Sequence, residues 1–335
     1  MAVSRAVVTL TLALPFGTVW AQTNANPQAT DTPRACVHLG TECVPLTIET
    51  ISVPYYHAPG QTTLVLEQGS GQRPTARSVN KLKALIIDGQ NNHHWQETTP
   101  VLKKILEDSG LFVVTVATAP PGPDMSGFRP DFAAFDVVVS NYNGLPWPDA
   151  TTAAFEKYVR EGGGFVSYHA SDNAFPDWPA YNEMIGVGGW GGRKNAQGIA
   201  CGHHGNRLPF QVTIRDSDNP NARGLPAVWM HAPDELYDSL CGPAKDVDIV
   251  ATAHSDPANK GTGENEPMLM TIRYGKGRVF HTTLGHDVAA MQSVDFIVTL
   301  QRGAEWAATG NVTQKVPADF PTPNQVSIRT LSASK

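Results

Sequence analysis

Between residues 82 and 170 the chain alternates apolar, β-branched runs with amphipathic stretches of helical period, and this alternation restricts the fold more than any other feature. LKALIIDG (82–89), LFVVTVAT (111–118), FDVVVSNYN (135–143) and FVSYHA (165–170) read as buried strands. HHWQETTPVLKKILEDSG (93–110), closed by Gly110, and Ala150 to Glu161, stopped by Gly162-Gly163-Gly164, read as helices. Strands and helices in that order require a mostly parallel sheet covered on both faces, so the fold class is α/β. Further strands follow at 208–216, 246–254, 266–275 and 277–285, the last two as a hairpin around Tyr274-Gly275-Lys276-Gly277. A helix over Asp287 to Glu305 closes the domain, and the Pro-rich segment from Val316 is expected to run along the surface.

The N-terminal part has a different texture. Residues 1–21 combine Arg5, an apolar run from Ala6 to Leu14, a break at Pro15 and Gly17, and small residues at Val19 and Ala21, the pattern of a signal peptide cleaved after Ala21. The apolar run is far short of the ~20 residues a membrane span needs, so a periplasmic or secreted protein without membrane insertion is expected. Residues 22–80 read as an irregular, Pro-, Thr-, Gln- and Gly-rich extension, 81–320 as the main domain and 321–335 as a tail. Export makes disulfides of the four cysteines, with 36–43 and 201–241 preferred among three connectivities.

Function classes narrow by exclusion. A net charge of −6 without a basic stripe argues against a nucleic-acid partner. IIDGQNNHH stands where a G-x-G-x-x-G would follow the first strand, so no nucleotide cofactor is expected. The turn after the GGG strand reads S-Y-H-A-S, which removes the nucleophile elbow of serine hydrolases.

Eleven histidines against 25 Lys+Arg are conspicuous, and their placement is more so. Ligands in open α/β sheets collect beyond the carboxyl ends of strands. Asp88, His93 and His94 follow the first strand, His169 ends FVSYH, His203-His204 lie in a Gly-rich loop, and His286-Asp287 follow GRVFHTTLG. Imidazole ligates metals and exchanges protons near neutrality, so His169, His204 and His286 are candidate ligands for a divalent ion such as Zn. His231, His254 and His281 have readier structural readings. APDELYD (232–238) offers two carboxylates beside Tyr237, or a helix start capped by Asp234. Trp95, Trp147, Trp178, Trp190 and Trp229 fall mostly between periodic runs, where aromatic rings can stack on sugars.

Three segments together carry a family resemblance: GGGFVSYHASDNAFPDWPAYNEMIG, LPFQVTIRDSDNPNARGLPAVWMHAPDELY and EPMLMTIRYGKGRVFHTTLGHD. In that order and spacing they resemble the ThuA-like (trehalose-utilisation) family over roughly Leu82 to Phe320. The resemblance implies a three-layer flavodoxin-like fold of the class I glutamine amidotransferase-like type. His169 then occupies the place of the amidotransferase nucleophilic cysteine, so no glutaminase activity is expected. It also implies carbohydrate utilisation, including routes through 3-keto sugars, with a small carbohydrate as partner. Matched by motif and strand position, His169, Asp172, Glu235 and His286 are the candidate catalytic groups, and His93, His94, Trp95, Asp234, Tyr237 and Trp190 the candidate substrate contacts. Leu208 and Asn219-Pro220 stand where related sequences often carry His and His-Pro, which would weaken any metal site built on those positions. The alternative is a non-catalytic carbohydrate-binding or scaffold protein; a metal-dependent hydrolase of non-sugar substrates is a third reading.

Overall fold

A computed structural model describes residues 81–331 and two short upstream strands, Ala35–Leu39 (β1) and Glu42–Leu46 (β2). The chain divides into two units, residues 1–78 and 79–335. In the first, β1 and β2 pair antiparallel with Val37 opposite Val44. The expected leader lies outside the described residues, and so do the side chains of Cys36 and Cys43, on which the other expected pairing depends.

In the second unit the βα alternation forms as β3 (Leu82–Asp88), α1 (Trp95–Asp108), β4 (Phe112–Thr118), β5 (Val137–Ser140), α2 (Asp149–Arg160) and β6 (Gly164–Tyr168). Then come α3 (Pro179–Ile185), β7 (His203–His204), β8 (Leu208–Ile214), β9 (Val228–Asp234), β10 (Tyr237–Asp238), β11 (Val247–His254), β12 (Asn265–Tyr274), β13 (Gly277–Thr282), α4 (Val288–Met291) and α5 (Val294–Thr309). Nine strands make one mixed sheet in the order β4-β3-β5-β6-β13-β12-β11-β8-β9. Pairing is parallel from β4 through β13 and antiparallel beyond it. The expected α/β architecture therefore forms, with its antiparallel half built by the hairpin-rich second half of the chain.

Period-two alternation builds a core on each face of the sheet. Ala84, Ile86, Val137 and Val139 face α1 and α5, whereas Leu85, Ile87 and Val138 face α2 and α3 with Phe155, Tyr181 and Ile185. Those are the three layers. α5 is buried from Val294 through Trp306, so its polar residues must be paired inside. Gln301 donates to the Ile105 carbonyl and Arg302 to those of Pro220 and Arg223.

Two expectations fail locally and a third is incomplete. The helix over Asp287 to Glu305 is two helices, because Ser293 turns extended and bridges Ile328 while Val294 N–H donates to Ser327 O. Asp234 ends a strand rather than capping a helix, since its carboxylate is consumed by buried donors described below. The segment after Val316 is not bare surface chain: Phe320 stacks edge-on against Trp229 at 5.4 Å, and Thr322 O accepts the Met230 N–H of edge strand β9.

Candidate active site

The parallel strands deliver their exits to one cavity of about 650 Å³. His93 follows β3, His169 directly follows β6 and His286 follows β13, while Glu235 follows β9, Tyr237 opens β10 and His204 sits on β7. One ligand atom from each of His93, His169, His286 and Glu235 lies within 4.8 Å of the others. The three rings stand edge to face, with centroids 4.9 Å (His93–His169), 4.7 Å (His93–His286) and 5.4 Å (His169–His286) apart.

His169 has φ +42°, a left-handed conformation that costs an L-residue of order 1–2 kcal/mol. The turn is held from several directions. Nδ1 lies 2.7 Å from the Thr283 carbonyl, which can only accept, so Nδ1 carries the proton and Nε2 presents a lone pair. That lone pair receives the Tyr237 hydroxyl at 2.8 Å. The same logic sets two more rings: His93 Nδ1 faces Asn91 Oδ1 at 3.0 Å and His204 Nδ1 faces Gly205 O at 2.9 Å, leaving both Nε2 atoms as acceptors.

Glu235 is the anion of the cluster. Its Oε2 lies 3.0 Å from His286 Nδ1 and 3.8 Å from His169 Nε2, and its Oε1 lies 3.7 Å from His204 Nε2. Burial works against its charge, but His286, His169 and His204 together hold its carboxyl below the ordinary range. Burial, with His169 and His286 alongside, pushes His93 down to about 3, and burial likewise lowers His169. Tyr237 is raised well above the ordinary phenol range, first by burial and then by Asp172 and Glu235. The site at neutral pH is thus a carboxylate among imidazoles, at least two of them neutral, with a protonated phenol beside them.

These residues fit a divalent cation. Neutral imidazoles fixed through Nδ1 and a neighbouring carboxylate are the N/O donor set that zinc and similar ions take. His286 Nδ1 approaches Glu235 without aligning on it as a hydrogen bond, so a buried ring nitrogen is left without a partner. His204 stands beside this set rather than within it, whereas His93 and Glu235 join it. Leu208 and Asn219 do not line the cavity.

Behind the cavity a buried network positions these groups. His231 lies between Asp295 Oδ2 at 2.7 Å and Asp234 Oδ2 at 3.0 Å, and Trp229 Nε1 donates to the same Asp295 oxygen at 2.8 Å. Asp234 then accepts the backbone N–H groups of Glu235, Gly285 and His286. Burial opposes both charges, yet Asp295 and Asp234 raise His231 to about 10, and His231 helps pull Asp234 down to about 2. Gly285 has φ +99°, and a Cβ there would meet the Phe296 ring at 2.5 Å, so the turn that presents His286 requires glycine.

The other candidates disperse. His94, Tyr237 and Trp190 line the cavity; Trp95 begins α1 and does not. Asp234 is fully buried and acts from behind. Asp172 is also fully buried, 3.8 Å from His281 Nε2, and does not reach the cavity. Asp88 is buried too, with its carboxyl raised by burial. Trp147 and Trp229 are core, and Trp178 stacks on Tyr181. Asn92, Asn143, Asn173 and Arg207 line the cavity without having been singled out in the sequence, and Asp287, named there at a strand exit, lines it too. Of these, only Asp287, next to His286, carried a sequence signal.

The cavity wall around Trp190 is fastened by the Cys201–Cys241 disulfide, the pairing expected for the second half of the chain. Among the described residues no helix is long and apolar enough to cross a membrane.

The sequence model of the ThuA family, described as trehalose utilisation, matches residues 83–307. A ThuA-like protein from Parabacteroides merdae is 47% identical, with TM-score 0.71 over 74% of this chain and 98% of that one. A ThuA-like protein from Bacteroides uniformis is 21% identical, with TM-score 0.52 over 72% of this chain and 97% of that one, and shares the fold. No curated protein matches.

Proposed function

The chain belongs to the ThuA family of trehalose utilisation, and from that premise we propose that it is an exported enzyme that processes a glycoside or its oxidised 3-keto form by His/carboxylate acid–base chemistry. The observation that carries this reading is the convergence of His93, His169, His286 and Glu235 in an open cavity at the strand exits. The leader pattern of residues 1–21 and the Cys201–Cys241 disulfide support export.

The residues suit elimination from a keto sugar. A proton on the carbon next to a 3-keto group is acidic, and Glu235, ionised among the imidazoles at the cavity wall, takes it up. The electron pair left behind enters the enolate and then expels the glycosidic oxygen. His204 Nε2, 3.7 Å from Glu235 Oε1, receives the abstracted proton and returns it to that oxygen, so the product alcohol leaves neutral. His169, neutral and anchored on Thr283, fixes the Tyr237 hydroxyl, while Trp190 and the asparagines hold the sugar ring. A divalent cation held by His93, His286 and His169, whose Nε2 would then release the Tyr237 hydroxyl, would supply positive charge to the developing enolate oxygen.

The test is turnover of a panel of glycosides and matching 3-keto glycosides by the purified mature protein. Glu235→Gln is expected to lower kcat by roughly 100- to 10,000-fold with the fold intact. Full activity in a folded His169→Ala protein sinks the assignment, and saturable sugar binding with no product on any substrate gives the non-catalytic reading instead.

A further inference from the structure

Two charged side chains that this chemistry does not use line the same cavity. Arg207, on the loop between β7 and β8, places Nη2 2.7 Å from Oδ2 of Asp287, which follows His286. The side chains are 36% and 32% exposed, so both remain within reach of a ligand. Asp287 Oδ1 accepts the Ala290 N–H at 3.0 Å as the N-cap of α4, which ties the carboxylate to the fold. Arg207 makes no other hydrogen bond among the described residues, so its remaining N–H donors stay free.

A lone guanidinium at a cavity wall selects carboxylates and phosphates, which it grips with two parallel bonds. This guanidinium is not alone. With Asp287 against it the pair carries no net charge and sets free donors beside a carboxylate acceptor. Neighbouring hydroxyls of a sugar, each able to donate and accept, complement that arrangement, whereas an anionic sugar meets Asp287 at the wall and the carboxylate of Glu235 further in.

We infer that the Arg207–Asp287 pair is the specificity determinant of this cavity, engaging neutral sugars through adjacent hydroxyls and discriminating against sugars that carry a carboxylate. The inference rests on the carbohydrate reading above but is tested by binding, without turnover. The probes are methyl glucoside and methyl glucuronoside, which differ only in the C6 carboxylate, titrated by calorimetry into the mature protein.

Wild type is expected to bind the neutral glycoside roughly tenfold or more tightly than the uronate. Asp287→Asn keeps a good N-cap while freeing Arg207, and is expected to reverse or abolish that preference by gaining affinity for the uronate. Arg207→Met is expected to weaken the neutral glycoside by roughly tenfold and to leave the uronate unbound. Equal binding of both probes by wild type, or an unchanged ratio in folded Asp287→Asn, overturns the inference and leaves the carbohydrate reading standing. Binding of neither probe by wild type also overturns the inference, and turnover of the 3-keto glycosides then decides the carbohydrate reading separately.

Discussion

Asp234 and Glu235 are sequence neighbours with different duties, and burial separates them. Glu235 opens onto the cavity, whereas Asp234 is fully enclosed and spends its oxygens on His231 and three backbone N–H groups. Because His231 is raised from 6.5 to about 10, its contribution to stability is complete below pH 6.5 and is lost as pH rises towards 10. Because Asp234 is lowered from 3.8 to about 2, its contribution is complete above about pH 4 and is lost as pH falls towards 2. Stability from this pair is therefore greatest between about pH 4 and 6.5 and declines on both sides. His231→Gln leaves Asp234 and Asp295 buried without a cation, a change that typically costs roughly 3–5 kcal/mol. Thermal melts across pH should show a lower Tm for the variant and a flatter alkaline limb than wild type. An identical limb would mean that His231 is neutral in the folded protein. The charge of this network was hidden in the sequence. His231 was read only as structural, with no partner in view, and Asp295 showed only as a lone acid inside the apolar run VDFIV.

At the scale of elements, what could be read from the sequence was what local periodicity encodes. α1 and α2 formed within a few residues of their expected spans because their apolar faces repeat at helical spacing and end at glycines. β9 was missed because VWMHAPD carries a proline and an acid, and its pairing with β8 is set by tertiary contacts. The loop from Gly186 to Gly202 is likewise non-local. Trp190 takes φ +52°, its N–H donates to Cys201 O, and its ring lies 4.6 Å from that of Tyr237. Cys201–Cys241 spans a separation of 40 residues, for which loop entropy gives roughly 4 kcal/mol of stabilisation. Replacing both cysteines by serine is expected to lower Tm and, below the transition, to raise KM more than it lowers kcat, because Trp190 lines the cavity and takes no part in the proposed proton transfers. A Cβ at Gly202 would meet the Trp190 ring at 2.7 Å, so Gly202→Ala should raise KM with the disulfide intact. If neither variant moves KM, the loop does not hold substrate.

Across the whole molecule, the strand-exit rule was enough to gather His93, His169 and His286, since a parallel sheet sends all its carboxyl ends to one side. It could not place Arg207 or the asparagines, whose positions depend on loops without period, nor show that Asp172 turns inward against His281. The anchoring of the segment after Val316, which otherwise runs along the surface as expected, was hidden for a related reason: a Pro-rich stretch has no repeat to reveal what it packs against. Phe320 rests on Trp229, Trp229 donates to Asp295, Asp295 holds His231, His231 holds Asp234, and Asp234 fixes the backbone of Glu235 and His286. A remote apolar contact is thereby linked to the cavity through consecutive hydrogen bonds. Phe320→Ala is expected to cost about 3 kcal/mol, the low end for deleting a buried phenyl ring. If the chain of contacts transmits that loss, kcat falls at temperatures well below the transition while KM changes little, because Asp234 positions Glu235, the base of the proposed reaction. The check is kcat and KM at a temperature where the variant is fully folded, compared with Ile328→Ala, which removes an exposed side chain from the same segment. Equal kcat in Phe320→Ala and wild type under those conditions would confine Phe320 to packing and cut the link between the C-terminal segment and the site.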